Sequence, residues 1–310
     1  MVTLLRKTIL STADIGRLFN VTETTVKRWA DEGTLKCQKT PGGHRKFEMK
    51  DVVEFAEKNH FEPVCALEMP ENDTLSRRIQ GAVLEKDFQT LVDVYVDKIL
   101  SSGETALFPF LSYLYQHRLQ LWEIHDHIIR PAMAELGRRW AEGEIGVNHE
   151  HCASYETLDA LAKLQGQIRI KPPTGRSAVC ACLGSEMHEI GLRCATYLVE
   201  SEGWQTHYLG ARIPSSAVCS AIGQFKPALV CLSATSYPDQ TESLLGDLEA
   251  ISGSARRCGS RVVLGGVSSR HLVAAESSVD AFPQSSKDLL DYISEFAREN
   301  PVAQGRDLLE

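Results

Sequence analysis

The nine cysteines of the chain include no C-x-x-C pair, which removes a common spacing of structural zinc sites. They are scattered (Cys37, Cys65, Cys152, Cys180, Cys182, Cys194, Cys219, Cys231 and Cys258), and several sit inside apolar runs such as Ala178–Cys182. That placement is expected of free cysteine serving as a small buried hydrophobe in a reducing compartment. No stretch approaches the roughly 20 apolar residues that span a bilayer, so no membrane partner is expected. Met1–Thr12 carries basic residues with no sustained apolar run after them; a secretory signal is not expected, and the chain reads as cytoplasmic. What is present is ordinary for globular domains: 43% hydrophobic and 24% charged residues over 310 positions, room for two or three cores.

The net charge of −8 conceals an asymmetry. Residues 1–60 hold 11 Lys/Arg against 8 Asp/Glu, a net of +3, and the remainder carries 22 against 33, a net of −11. A small basic module attached to a larger acidic body follows. Within the basic part, Ser11-Thr12-Ala13-Asp14 reads as a helix start, with Ile15, Leu18 and Phe19 on one face. Thr22 opens a second helix through Glu32, with Val26 and Trp29 inward and Gly33 as its stop. Thr34–Cys37 and Arg45–Glu48 flank Pro41-Gly42-Gly43 as a hairpin, and Lys50–Asn59 closes the unit as a third helix. The second helix turns Thr24, Thr25, Lys27 and Arg28 away from its core face, while the hairpin offers Lys39, His44, Arg45 and Lys46. Short polar and basic side chains so arranged suit the base edges and phosphates of double-stranded operator DNA. Over residues 8–59 the chain resembles the MerR family of winged-helix regulators, most strongly in Val26–Gly33 and Gly42–Phe47. The resemblance implies self-association into dimers or tetramers and a sensor placed C-terminal to the DNA module.

Beyond a linker at His60–Asn72, residues 73–168 show helical periodicity without strands. Phe88–Leu100, Ala106–Tyr115, Gln120–Trp140 and Val147–Leu164 suggest a bundle of four or five helices, with His125, Asp126 and His127 on a helix surface. Ile170–Gly175 is a second linker. From residue 176 to 300 the rhythm becomes strand–helix, with strands expected at Ala178–Leu183, Gln205–Leu209, Ala228–Ser233, Arg261–Leu264 and Val279–Phe282. The fold class is therefore multidomain: a winged helix-turn-helix over 1–60, a helical bundle over 73–168, and an α/β flavodoxin-like domain over 176–300.

In such a sheet, ligands bind beyond the C-terminal strand ends at the switch point between the first and third strands. Three features fall there: Glu186-Met187-His188-Glu189-Ile190-Gly191 after the first strand, Ser233-Ala234-Thr235-Ser236 after the third, and Gly265-Gly266 after the fourth. A loop imidazole can ligate a transition metal, and a neighbouring carboxylate can fix its tautomer. Gly191, Gly265 and Gly266 allow close approach of backbone to ligand, and the hydroxyls of Ser233 and Thr235 can bond a buried heterocycle nitrogen. Together these residues resemble the cobalamin-binding domain of corrinoid-dependent mutases and methionine synthase. That pattern is D-x-H-x-x-G, then S-x-L or S-x-T, then G-G; here Glu186 stands where the family has aspartate. The resemblance implies a bound cobalamin with a buried benzimidazole tail and His188 as the lower axial cobalt ligand.

From end to end the chain is similar to CarH- and LitR-type light-responsive regulators, through Trp140 and the later Glu150-His151 of the helical segment. That similarity implies adenosylcobalamin as cofactor, with Trp140, Val147, Glu150 and His151 around its upper ligand. It also implies a repressor gated by green light through cobalt–carbon photolysis. One position departs: Ala141 stands where those regulators carry a histidine able to take the upper cobalt position afterwards. Two alternatives stay open, a MerR-type regulator sensing another cobalamin form or none, and a corrinoid methyl carrier. With no room for a catalytic barrel, no enzyme activity is expected.

Overall fold

The computed structural model describes residues 9–19, 21–40, 42–59, 74–101, 107–234, 241–266 and 278–300. The chain divides into two compact units, Met1–Arg77 and Arg78–Glu310.

The first unit holds β1 (Ile9–Ser11), α1 (Thr12–Leu18), α2 (Glu23–Asp31), β2 (Gln38–Lys39), β3 (Arg45–Glu48) and α3 (Met49–Lys58). The strands form an antiparallel sheet in the order β1-β3-β2. The Asp14 carboxylate accepts the Ser11 amide at 2.8 Å and its hydroxyl at 2.7 Å, which sets the start of α1. Thr22 caps α2 through its hydroxyl, 3.3 Å from the Thr25 amide, and Gly33 turns the chain away at φ +73°. Leu10, Ile15, Val26, Leu35 and Phe47 fill the core, with the rings of Phe19, Trp29 and Phe55 packed together. Two features differ from expectation. β1 adds a third strand, and the hairpin arm begins at Gln38 instead of Thr34. The cause lies in Leu35: it is fully buried and its amide bonds the Trp29 carbonyl at 3.1 Å, so the chain must close over α2 before it can extend.

The second unit begins with helices α4 (Thr74–Glu85, which runs across the unit boundary), α5 (Phe88–Leu100) and α6 (Leu107–Gln116). A continuous helix follows, made of α7 (Leu121–Glu123), a π-turn (Ile124–Ile129) and α8 (Arg130–Ala141); α9 (Val147–Gln165) completes the helical part. Tyr95 on α5 and Thr157 on α9 share a buried 2.7 Å hydroxyl bond. The π-turn corrects one expectation: His125 and Asp126 are buried, and only His127 is exposed. An extra residue per turn rotates both side chains inward from where a 3.6-residue period places them.

The sheet carries β4 (Ser177–Cys182), β5 (Gln205–Gly210), β6 (Leu229–Ser233) and β7 (Arg261–Gly265), parallel and ordered β5-β4-β6-β7. Four helices alternate with them: α10 (Ile190–Ser201), α11 (Ser215–Phe225), α12 (Thr241–Cys258) and α13 (Ser286–Glu299). Helices cover both faces, so β4 and β6 are buried almost throughout, as a central parallel strand requires. Val179, Ala181, Val230, Leu232, Val262 and Leu264 pack against α11 and α12. The alternate residues Cys180 and Cys231 face the other way; they and Cys194 are buried free thiols, whereas Cys152 is exposed. The expected fifth strand reduces to one parallel bridge, Val263 with Ala281. The Asp280 side chain takes the Val262 amide at 2.7 Å and Pro283 lacks an N–H, so the ladder cannot lengthen.

Among the described residues, polar ties join the helical part to the sheet. Gln165 donates to Glu200 at 2.7 Å, Arg130 donates to the Gln284 carbonyl at 2.9 Å, and Asp126 accepts the amides of Ser286 and Lys287 at 2.8 and 3.0 Å. Asp126 thereby caps α13 from another element, matching its charge to the positive helix end. Among the described residues no helix is long and apolar enough to cross a membrane.

Candidate functional sites

The order β5-β4-β6-β7 puts the switch point between β4 and β6, and the loops there carry the residues chosen from sequence. Cys182, Ser233 and Gly265 lie abreast at the C-terminal edge of the sheet. His188 stands in the loop between β4 and α10, its side chain 64% exposed. The Glu186 carboxylate beneath it is buried. One oxygen, Oε1, accepts the amides of Met187 and His188 at 2.8 and 2.7 Å and meets His188 Nδ1 at 2.6 Å. With an ionised acceptor, Nδ1 carries the proton and Nε2 is left as the outward lone pair. The Glu186 hydrogen bond raises the His188 pKa; partial burial opposes it, and the charges of Glu186 and Glu150 add to it. Glu150 lies on α9, so the helical part brings a carboxylate within electrostatic reach of this imidazole.

Gly266 has φ +97°, and a Cβ there would stand 2.2 Å from the Ala234 carbonyl oxygen. Only glycine lets the β7 end close so tightly on the β6 end. Gly265 has room for a methyl, and Gly191 faces open space at the first turn of α10. Ser233 is buried at the end of β6; Thr235 lies outside the described residues. On the helical side, Trp140 lies in the last turn of α8 and Val147 begins α9, both large and exposed. Glu150 accepts the Ser154 hydroxyl at 3.1 Å, and His151 stands 3.6 Å from Glu150 with its ring open to solvent. Ala141 is exposed. Among the described residues, no group of three or more His, Cys, Asp or Glu is placed to hold a metal ion.

The surroundings of this loop carry little signal in the sequence. The Tyr208 hydroxyl donates to Glu189 at 2.5 Å and the Arg193 guanidinium lies 3.5 Å above the Tyr208 ring, which ties β5 to the start of α10. A cavity of about 530 Å³ opens beside the loop, lined by Gly184, Ser185, Arg212 and Pro214 among others. The only sequence signal for these was the Glu-x-x-x-Arg spacing of Glu189 and Arg193, which any helix surface can show.

In the first unit, Thr24, Lys27 and Arg28 project from α2 into solvent, and Lys39 and His44 from the wing. Thr25 is half-buried, its hydroxyl 3.0 Å from that of Thr22. Arg45 departs from the expected pattern. Its side chain is only 18% exposed and one terminal nitrogen contacts both Asp31 oxygens, at 2.6 and 2.8 Å. A guanidinium so engaged is not a free cation.

Residues 9–60 match a helix-turn-helix domain family, residues 176–282 a B12 binding domain family, and residues 110–164 a further B12 binding domain family. The HTH-type transcriptional repressor CarH of Myxococcus xanthus is 25% identical over 213 residues, covering 65% of this chain and 70% of that protein. The HTH-type transcriptional repressor CarA of the same organism is 30% identical over 169 residues, 53% of this chain and 54% of that one. The chain therefore spans about half the length of CarA. The monomethylamine corrinoid protein of Methanosarcina barkeri superposes with a TM-score of 0.55 at 16% identity, over 67% of this chain and 99% of that one, and shows a shared fold. One polypeptide thus matches a helix-turn-helix domain family and two B12 binding domain families.

Proposed function

We propose that this chain is a MerR-type DNA-binding transcriptional repressor governed by a cobalamin in its second unit, with adenosylcobalamin as the effector form. The observation that carries the reading is the His188–Glu186 pair: an outward imidazole, its Nδ1 held by a buried carboxylate, at the sheet edge and within reach of Glu150. The residues fit the group. Nε2 would offer cobalt a single donor, and Glu186, held on the Met187 and His188 amides, would fix the tautomer. Ser233 and Thr235 would hold the buried tail through their hydroxyls, with backbone approach at Gly191 and Gly265. Trp140 and Val147 would wall the upper face, and Glu150 and His151 would hydrogen-bond the group there. When bound, adenosylcobalamin supplies a cobalt–carbon bond that green light cleaves.

The protein's part is to couple the state of that face to DNA. Trp140 and Val147 are exposed and apolar, so covering or uncovering them changes the helical packing they can make. Ala141 supplies no imidazole, and the nearby His149 spends Nδ1 on the Gly146 amide at 3.2 Å. Light release in this chain therefore rests on loss of contacts at Trp140, Val147, Glu150 and His151, without capture by a histidine at 141. In the first unit, Thr24, Thr25, Lys27 and Arg28 would meet base edges and phosphates, and Lys39 and His44 the backbone beside them. Two or four chains acting together would raise affinity through effective concentration.

Gel shifts on a duplex selected by the protein test this, with the apo chain and with adenosyl-, methyl- and hydroxocobalamin, dark and illuminated. The expected outcome is retention only with adenosylcobalamin in the dark. Equal retention in every lane overturns the gating, and no retention in any lane overturns the DNA-binding reading.

A further inference from the structure

Three carboxylates lie on or next to α2, and each faces a cation. Glu23 stands 3.7 Å from Lys27 and Glu32 stands 4.0 Å from Arg28, both as i,i+4 pairs open to solvent on both sides. Such pairs are loose and give way readily to another anion. Asp31 is different. It is the last residue of α2, yet its partners come from both wing strands: Lys39 of β2 at 3.7 Å, and Arg45 of β3, whose Nη2 meets both carboxylate oxygens. The Arg45 Nε–H is enclosed with no acceptor.

A carboxylate at this place meets two opposing interactions. It sits at the negative end of the helix dipole, and it lies on the surface that the reading above gives to the phosphates of DNA. The Arg45 guanidinium offsets both and holds the Asp31 carboxyl below the usual carboxylate range. We infer that Asp31 and Arg45 form a clamp that sets the spacing of α2 and the β2–β3 wing, so that Arg45 is a positioning residue for duplex DNA and not one of its phosphate contacts. The inference rests on the DNA-binding reading above and assigns its wing contacts to Lys39 and His44.

The sign of one charge change separates this from simple electrostatics. Asp31→Asn, Glu23→Gln and Glu32→Gln each remove one negative charge from the same surface. By charge alone all three strengthen binding to DNA. The clamp predicts that Glu23→Gln and Glu32→Gln bind as tightly as wild type or tighter. Asp31→Asn binds the selected duplex about tenfold more weakly, and its salt dependence loses the equivalent of one or two phosphate contacts. The full chain is used, loaded with adenosylcobalamin and kept in the dark, and Asp31→Asn is read against its own thermal unfolding curve. A second measurement needs no variant. On titrating wild type with the selected duplex, the Arg45 Nε resonance moves little while that of Arg28 shifts. Asp31→Asn binding as tightly as the two controls, or an Arg45 resonance that moves with Arg28, overturns the clamp. A wild-type chain that binds no duplex overturns the DNA-binding reading instead.

Discussion

Two histidines in the second unit show how far environment decides what a side chain can do. His188 sits in a loop at the sheet edge, mostly exposed, with Nδ1 held by a buried carboxylate. His125 sits in the π-turn at 3% exposure, with neither ring nitrogen hydrogen-bonded. Their protonation moves in opposite directions: Glu186 raises the pKa of His188, while burial alone pushes His125 down to about 3. An exposed imidazole with one nitrogen fixed and the other free is equipped to bind. A buried one without partners is a neutral packing group that carries a desolvation cost.

The contrast can be broken from either side. The largest effect is expected at the carboxylate beneath His188. Glu186→Ala leaves the amides of Met187 and His188 and the ring Nδ1 without their common acceptor, and cobalamin affinity should fall about 10–100-fold by equilibrium dialysis. A variant that binds as wild type does would make Glu186 incidental. On the other side, His125 should impose an acid limit on folding. Below the unfolded pKa of about 6.5 the unfolded chain takes up a proton that the folded chain refuses until about pH 3, so stability falls with pH across that window. Between pH 6.5 and 5 the loss is about 2 kcal/mol. His125→Phe should flatten the dependence in urea melts while leaving neutral-pH stability nearly unchanged, because it removes two unsatisfied nitrogens and keeps the ring. An equally steep acid limb in that variant would remove His125 as its source. Asp126→Ala, next to it, should cost about 1 kcal/mol through loss of the α13 cap, read as a lower unfolding midpoint.

Much of this was legible in the sequence, and the remainder was hidden for identifiable reasons. Strands β4 to β7 and the helices between them follow from apolar runs and 3.6-residue periodicity, which are local signals. The loop Glu186–Gly191 and the pair Gly265-Gly266 fall at strand ends once those strands are placed. His125 and Asp126 were misread because a single π-turn shifts the phase of an otherwise regular helix, and no residue type announces it. Arg45 carried a composition suited to DNA, but its engagement with Asp31 joins two elements 14 residues apart and is visible only after folding. β1 was missed because three residues that pair across the module carry no periodicity of their own. The fifth strand read as Val279–Phe282 was lost to a side chain, since Asp280 takes the amide a neighbouring strand would need.

The proposed cobalamin reading turns on His188 as the donor to cobalt. The direct measurement is the absorption spectrum of the chain loaded with adenosylcobalamin in the dark, wild type beside His188→Ala, after gel filtration. A histidine-ligated spectrum is expected for wild type, and its loss, or loss of the cofactor, in the variant. Identical spectra at equal cofactor content would contradict it.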